Sequence, residues 1–485
     1  MKKFVLSAAV SAALVCAAAG PASAADIIPT KAPPAPDAGP TSCTSVWDFF
    51  ATTCQLSYYG VRFYGTIDIG GGWDSHGAPY NPNAFFTFNL IQKAGNNPLW
   101  LISPDNIAQS NVGVQGKEQI FKDWFLVFDL EAGFNPYSFQ LANGPGTVAA
   151  NVGVPLTNQN SNGDSARAGQ FYNALGFVGI SSPTYGTLTV FRQTSLLFDG
   201  VIAYDPMGGA YAFSPIGFSG VAAGGGDTED TRYTTSLKYR VNVGQMRFGA
   251  LWQFGGYGQG NGSQGAYQAT MGGDIANVAG GVVSFDAVGS YVQNAVSIGL
   301  AGNPLNGQGQ PVAPFLPQNL TATITNNAAA MALAKYTVGP LKLYGGYEFI
   351  QYNPPTGTIS PFTDIAGTPI STISTTAVGA AGASDKVLEI MWTGAKYTVI
   401  KNLDVIGAYY HYTQNSFIAG ASCNTSASSK CFGTLDAVSV ALDWQFAAKA
   451  DAYIGAMFSQ VNGGLSNGYL SRNNLDPTAG LRFRF

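Results

Sequence analysis

The chain has 485 residues and a net charge of −4 at neutral pH, yet only 10% of it is charged while glycine reaches 61 residues and aromatics 13%; soluble domains average about 25% charged. A mildly acidic chain with no basic run argues against nucleic-acid binding, and so little charge directs attention to a membrane. No stretch after the N-terminus approaches the ~20 continuous apolar residues of a spanning helix, which leaves a closed barrel, the other architecture that satisfies every backbone hydrogen bond in lipid.

In chain order, Lys2 and Lys3 precede an apolar run from Phe4 to Ala19 and then Ala22-Ser23-Ala24, the pattern of a signal peptide. Residues 1 to 24 are expected to be removed, which takes the net charge from −4 to −6 because two lysines leave. Cys16 leaves with them; Leu-Val-Cys-Ala lacks the small residues that precede a lipoprotein cysteine. Residues 25 to 57 read as a periplasmic segment. PTKAPPAPDAGP, residues 29 to 40, is an extended tether by composition, and Cys43 pairs naturally with Cys54, as does Cys423 with Cys431, each closing a short local loop in an oxidising compartment. Neither pair has a nearby histidine or a CxxC spacing, so no metal and no cofactor are expected.

Residues 58 to 485 break into segments of about ten residues with two-residue alternation, the signature of barrel strands. An all-β, sixteen-stranded antiparallel transmembrane barrel is expected, with strands near 58 to 72, 109 to 117, 124 to 134, 172 to 181, 186 to 193, 232 to 241, 244 to 254, 265 to 273, 281 to 293, 328 to 337, 340 to 351, 386 to 398, 402 to 414, 433 to 446, 450 to 460 and 476 to 485. In 244 to 254, Met246, Phe248, Ala250, Trp252 and Phe254 share one face, and Gln245, Arg247, Gly249 and Gln253 the other. Long connections alternate with tight turns such as Asn242-Val243, Gly339 and Ile400-Lys401. Short periplasmic turns and long external loops produce that parity, whereas a soluble sandwich has no reason to sort its loops. A barrel of this size leaves a channel for water.

Within the barrel, Arg232, Thr234, Ser236, Lys238 and Arg240 fall on one face of 232 to 241, and Arg247 follows on the next strand. A charge facing lipid near the midplane costs ~2 to 4 kcal/mol, so this basic stripe is expected to face the lumen. Tyr344, Tyr347, Tyr409, Tyr410 and Tyr412 are expected in the interfacial girdles. GGYGQGNG, 255 to 262, has no lysine or following helix and reads as a loop rather than a phosphate cradle. His76 and His411 read as surface or interface residues, and no carboxylates pair at catalytic spacing, so no enzyme is expected. An adhesin or structural anchor with a plugged lumen stands as the alternative. The terminal Phe485, on a strand that alternates to its last residue, resembles the signal read by the barrel-assembly machinery. The address is therefore the outer membrane, with lipid and lipopolysaccharide around the barrel.

FYGTIDIGGGW (63 to 73), SNVGVQGKE (110 to 118), YGTLTVFRQTSLLFDG (185 to 200) and TRYTTSLKYR (231 to 240), with Cys43 and Cys54 ahead of the first strand, resemble in order and spacing the general bacterial porins, most closely the alphaproteobacterial branch. The resemblance implies a barrel that is usually a homotrimer and whose third loop folds into the lumen. It makes Arg192 the inward arginine, Arg232 the basic residue beyond the third loop, and Asp199, Asp205, Asp227, Glu229 and Asp230 the loop acids opposite the basic wall. Two family features depart: further basic positions fall on Thr66 and Asn111, and the Pro-Glu-Phe-Gly-Gly loop motif is missing. Acidic loop and basic wall are expected to set a transverse field that orients dipolar solutes. The expected function is passive diffusion of small hydrophilic solutes and ions, leaning towards cations.

Overall fold

The computed structural model describes residues 42–82, 90–93, 95–141, 158, 171–218, 231–259, 261–299, 320–357, 364–365, 368–374, 385–417 and 428–485. The expected signal peptide, the tether, Cys423, Asp227, Glu229 and Asp230 lie outside these residues.

A short helix α1 (Val46–Ala51) leads into β1 (Leu56–Tyr58), β2 (Val61–Gly77), β3 (Asn97–Pro104), β4 (Asn111–Phe121), β5 (Trp124–Gly133), β6 (Leu175–Ser182) and β7 (Gly186–Thr194). After α2 (Leu196–Tyr204) come β8 (Arg232–Val243), β9 (Met246–Gln253), β10 (Gly265–Val278), β11 (Gly281–Gly299), β12 (Leu320–Val338) and β13 (Leu341–Asn353). β14 (Asp364–Ile365) and β15 (Thr368–Ser374) precede β16 (Lys386–Ile400), β17 (Leu403–Gln414), β18 (Gly433–Ala447), β19 (Ala450–Gly463) and β20 (Asn473–Arg484). Sixteen of these strands, β2, β4 to β13 and β16 to β20, pair antiparallel in sequence order and close into a barrel. Closure runs from Thr66 opposite Arg484 to Gly72 opposite Thr478, and the final residue, Phe485, exchanges two 3.0 Å hydrogen bonds with Gly65.

The expected strands are all present, and the parity of connections holds. Turns such as 244–245, 339–340 and 401–402 mark one rim, while the long loops leave the other. Gly339 sits at φ +52 in its turn, a conformation glycine adopts without a Cβ penalty. Along each strand the side chains alternate: in β9, Phe248, Ala250 and Trp252 are exposed on the outside, and Leu251 and Gln253 are buried inside. Two features were not expected. In the sixth external loop, β15 pairs parallel with the outer end of β12. In addition, the second barrel strand is interrupted: β4 pairs with Val61 to Thr66 of β2 and β3 pairs with Ile69 to Gly77 along the same edge. Between them residues 105–110 leave the ladder, beginning at Asp105 with φ +58.

Strand length is uneven around the ring. β6 and β7 have 8 and 9 residues, β11 and β12 have 19 each.

Candidate constriction site

The third external loop enters the barrel and forms a shelf, residues 195–218, across the lumen. Ser195 starts its helix: the Ser195 hydroxyl accepts from the Phe198 N–H at 3.0 Å, as an N-cap serine does. Leu196 N–H donates to Gln268 Oε1 of β10 at 2.7 Å. Leu196, Leu197, Gly200, Val201 and Tyr204 form the buried face of α2. Gly200 permits the close approach, since a Cβ there would stand 2.7 Å from Leu333 Cδ1 on β12. At the helix C-terminus the free carbonyls find donors on the wall: Lys335 Nζ reaches Ala203 O at 3.4 Å and Trp392 Nε1 reaches Tyr204 O at 3.1 Å. Asp205 then accepts from Tyr410 Oη of β17 and from its own loop's Gly209 N–H, both at 2.7 Å.

The tip of the shelf meets the interruption of the second strand. Ala212 N–H donates to Asn106 O at 2.9 Å, and the Phe213 ring stands edge-on to Tyr453 of β19 at 6.4 Å. Asp68, fully buried on β2, holds the interruption in place by accepting from the N–H groups of Ile107 and Ala108, each at 2.8 Å. Tyr453 Oη also donates to Asp68 and accepts from Asn106 Nδ2 at 3.0 Å. The shelf is thus fixed at its root, middle and tip to three parts of the wall.

The expected charges fall into separate groups. Asp199, in the first turn of α2, meets Lys238 Nζ at 2.6 Å and also contacts Arg240, so this loop acid and these two bases come together. Arg247 instead bridges Asp274 at 2.5 Å and Asp286 at 3.1 Å, and donates to Tyr204 Oη at 3.1 Å. Arg192 is buried, donating from Nε to Asn173 O at 2.8 Å and to Thr234 Oγ1 at 2.6 Å. Arg232 lies over the Phe198 ring, 5.5 Å from its centroid. Asp205 is buried against Tyr410, apart from all five bases.

Two further sets were not singled out from the sequence. Towards the periplasmic ends of the strands, Lys396 pairs with Asp404 at 2.5 Å, Arg482 grips Asp451 with two 2.9 Å hydrogen bonds, and Arg484 reaches Asp451 at 2.5 Å. With the Arg240–Asp199 and Arg247–Asp274–Asp286 groups they make a belt of ion-paired charges, most of it partly open to water. Two-residue alternation puts Asp443 and Arg482 on inner faces, but cross-strand partners cannot be read without the register. From β8 round to β19 the shelf packs on the wall through one apolar cluster, in which Phe213 and Ile216 of the shelf join Leu90, Ile91 and Leu465 from other loops, Leu251, Val288 and Leu333 of β9 to β12, and Leu388, Trp392, Leu435 and Val461 of β16 to β19.

The tyrosines divide. Tyr347 and Tyr409 face outward, whereas Tyr344 lies on the inner face opposite Lys335 and Tyr410 and Tyr412 are fully buried inside, so the expectation of girdle positions is corrected for these three: neighbours at 409 and 410 cannot share a face of a strand, nor can 344 and 347. His411 is outward, with Nδ1 2.7 Å from Asp436 and Nε2 2.9 Å from Thr413. Cys43 and Cys54 form the expected disulfide. Cys431 is also disulfide-bonded; its expected partner Cys423 lies outside the described residues.

A family model described as Gram-negative porin matches residues 9–464. An outer membrane porin protein of Bordetella pertussis is 24% identical over 207 residues, 40% of this chain, and the match spans 42% of that relative's length. Among solved structures, an anion-selective porin from Comamonas acidovorans aligns over 88% of this chain and 99% of its own, with a TM-score of 0.56 and 14% identity. OmpT, an outer membrane protein of Vibrio cholerae, in its trimer form aligns over 88% and 99%, with a TM-score of 0.50 and 10% identity. These matches speak for the family as a whole; the alphaproteobacterial likeness remains a resemblance.

Proposed function

This chain belongs to the Gram-negative porin family, and we propose on that premise that it holds open a water-filled passage across the outer membrane for passive diffusion of small hydrophilic solutes and ions. The observation that carries the reading is the pinned shelf inside a closed ring, with partly open charges on the wall towards the periplasm. Such a wall lets a polar solute exchange its hydration for wall contacts, while an apolar solute gains nothing. The passage runs beside the shelf, which the apolar cluster seals against the wall. In this reading Asp199, Arg240 and Arg247 meet the solute, while Lys238, buried against Asp199, joins Arg192, Arg232 and Asp205 in supporting the shelf. Paired charges select weakly, and a slight cation preference rests on Asp227, Glu229 and Asp230 together with the net charge. Single-channel recording of the mature chain under a salt gradient tests this. Conductance proportional to salt with a small cation-sided reversal potential is expected. A silent bilayer, despite insertion and a heat-modifiable barrel, would overturn it in favour of an adhesin or anchor.

The same reading takes residues 1 to 24 as the signal peptide, 25 to 57 as the periplasmic segment and 58 to 485 as the barrel, with Phe485 as its assembly signal. It contains no catalytic step. Thr413, His411 and Asp436 are connected as a nucleophile, base and acid would be. However, β17 is paired along both edges, so its N–H groups serve the ladder and leave no oxyanion donors.

A homotrimer completes the proposal. The outer faces of the short strands β5 to β7 are apolar, with Leu126, Phe128, Val178, Ile180, Leu188 and Val190 in cross-strand rows. On the opposite side, Tyr347 and Glu389 pair at 2.6 Å, and Tyr409 joins His411 on Asp436, near the external rim. Lipopolysaccharide headgroups suit that polar belt; a second copy suits the apolar short wall.

A further inference from the structure

The segment ahead of the barrel is folded upon itself. The Cys43–Cys54 disulfide closes it, Cys43 N–H donates to Gln55 O at 3.0 Å, and β1 pairs with the start of β2. Several of its polar groups bond within it. Ser45 Oγ caps α1 by accepting from Asp48 N–H at 3.1 Å, and Asp48 accepts from Thr44 N–H at 2.9 Å, the contact that leads those holding its carboxyl below the ordinary range. The barrel holds this module at the periplasmic rim. Lys449, in the turn between β18 and β19, donates to Cys54 O at 2.7 Å and lies 3.8 Å from the centre of the Phe49 ring. The rings of Phe49 and Phe50 stand 6.3 Å from Phe483, on the outward face of the last strand.

Beside the exposed Ser42, Thr44, Ser45, Thr52 and Thr53 the module leaves five large apolar or aromatic side chains more than half uncovered: Val46 is 71% exposed, Trp47 83%, Phe50 57%, Tyr58 73% and Tyr59 84%. Removing such side chains from water is favourable, so five of them held exposed on an ordered module forgo that gain.

We propose that the disulfide-closed segment is an interfacial anchor, seated in the periplasm-facing leaflet beside the seam of the barrel, with glycerophospholipid at the headgroup–acyl boundary as its occupant. The identity of the occupant follows from continuity. Phe483 belongs to the outward belt, as do Leu481 and the Trp444–Phe446 pair of β18, so the α1 rings extend that belt sideways rather than starting a separate patch. Tryptophan and tyrosine sit at this level of a bilayer because one end of each ring is apolar and the other polar. A short amphipathic element suits the interface plane.

The test uses the full mature chain in phosphatidylcholine vesicles whose acyl chains are plain or brominated. The difference in emission between the native chain and Trp47→Phe isolates Trp47. Loss of that signal in brominated vesicles, with unchanged channel conductance in Trp47→Phe, is the expected result. An unquenched, red-shifted signal overturns the proposal in favour of water, and an unquenched, blue-shifted one in favour of a second copy of this chain. Opening the loop with Cys43→Ser and Cys54→Ser supplies a second measurement: the quenching falls while the barrel stays heat-modifiable. Quenching that survives the opened loop overturns the role of the closed module.

Discussion

Asp199 and Asp205 read identically in the sequence, as acids of the third loop, and the structure gives them opposite surroundings. Asp199 compensates Lys238 and Arg240 at a wall partly open to water. Asp199→Asn therefore leaves Lys238 and Arg240 without their counter-charge, Arg240 at the edge of the passage, and the reversal potential under a salt gradient shifts towards anions. Asp205 uses separate oxygens for Tyr410 and Gly209, so Asp205→Asn turns a donor towards one of its donors and costs about 1 to 3 kcal/mol. Its expected signature is a lower unfolding temperature and noisier open-channel current, with the reversal potential unchanged. A shift in potential from Asp205→Asn equal to that from Asp199→Asn would show that both acids face the solute. The residue types of the site were legible because charge on an inner face has few other reasons to be there. The burial of Asp205 was not, because it depends on which of two adjacent tyrosines points inward.

At the scale of elements, the barrel strands were legible because alternation and loop parity are local properties of the chain. The interruption of the second strand was hidden. Pro98 and Pro104 mask the strand character of 97 to 104, and the excursion is held by residues as distant as Asp68 and Tyr453. Asp68→Ala removes two charge-assisted N–H bonds and one from a phenol, each worth about 1.5 to 3 kcal/mol. The excursion then loosens, Asn106 no longer fixes Ala212, and conductance rises with frequent flicker. Stable recordings of native amplitude from Asp68→Ala would separate the excursion from the shelf. The disulfide acts on a smaller unit. Reducing Cys43–Cys54, with its sequence separation of 11, releases about 3 kcal/mol of loop-closure constraint. Proteolysis within 42 to 57 should accelerate while conductance stays as it was; slower conduction after reduction would tie the module to the passage.

At the scale of the molecule, a closed barrel buries its backbone polarity in one ring, so stability of the protomer and association between protomers are separable quantities. Their separation tests the apolar short wall directly. Val178 of β6 and Val440 of β18 both point outward, one on the wall proposed to meet a second copy and the other on the wall proposed to meet lipid. A lysine at Val440 faces hydrocarbon and costs ~2 to 4 kcal/mol of barrel stability if it lies near the midplane, with little effect on assembly. A lysine at Val178 places three like charges in protein contacts, where buried unpaired charge is far costlier than at a rim. Val178→Lys should therefore abolish the trimer in native electrophoresis and replace steps in threes with single steps, while the isolated barrel remains heat-modifiable. Val440→Lys should keep the trimer and lower the unfolding transition. The reverse outcome would place the contact on β16 to β19, and the polar belt of Tyr347, Glu389, His411 and Asp436 would then belong between protomers instead of among lipopolysaccharide headgroups.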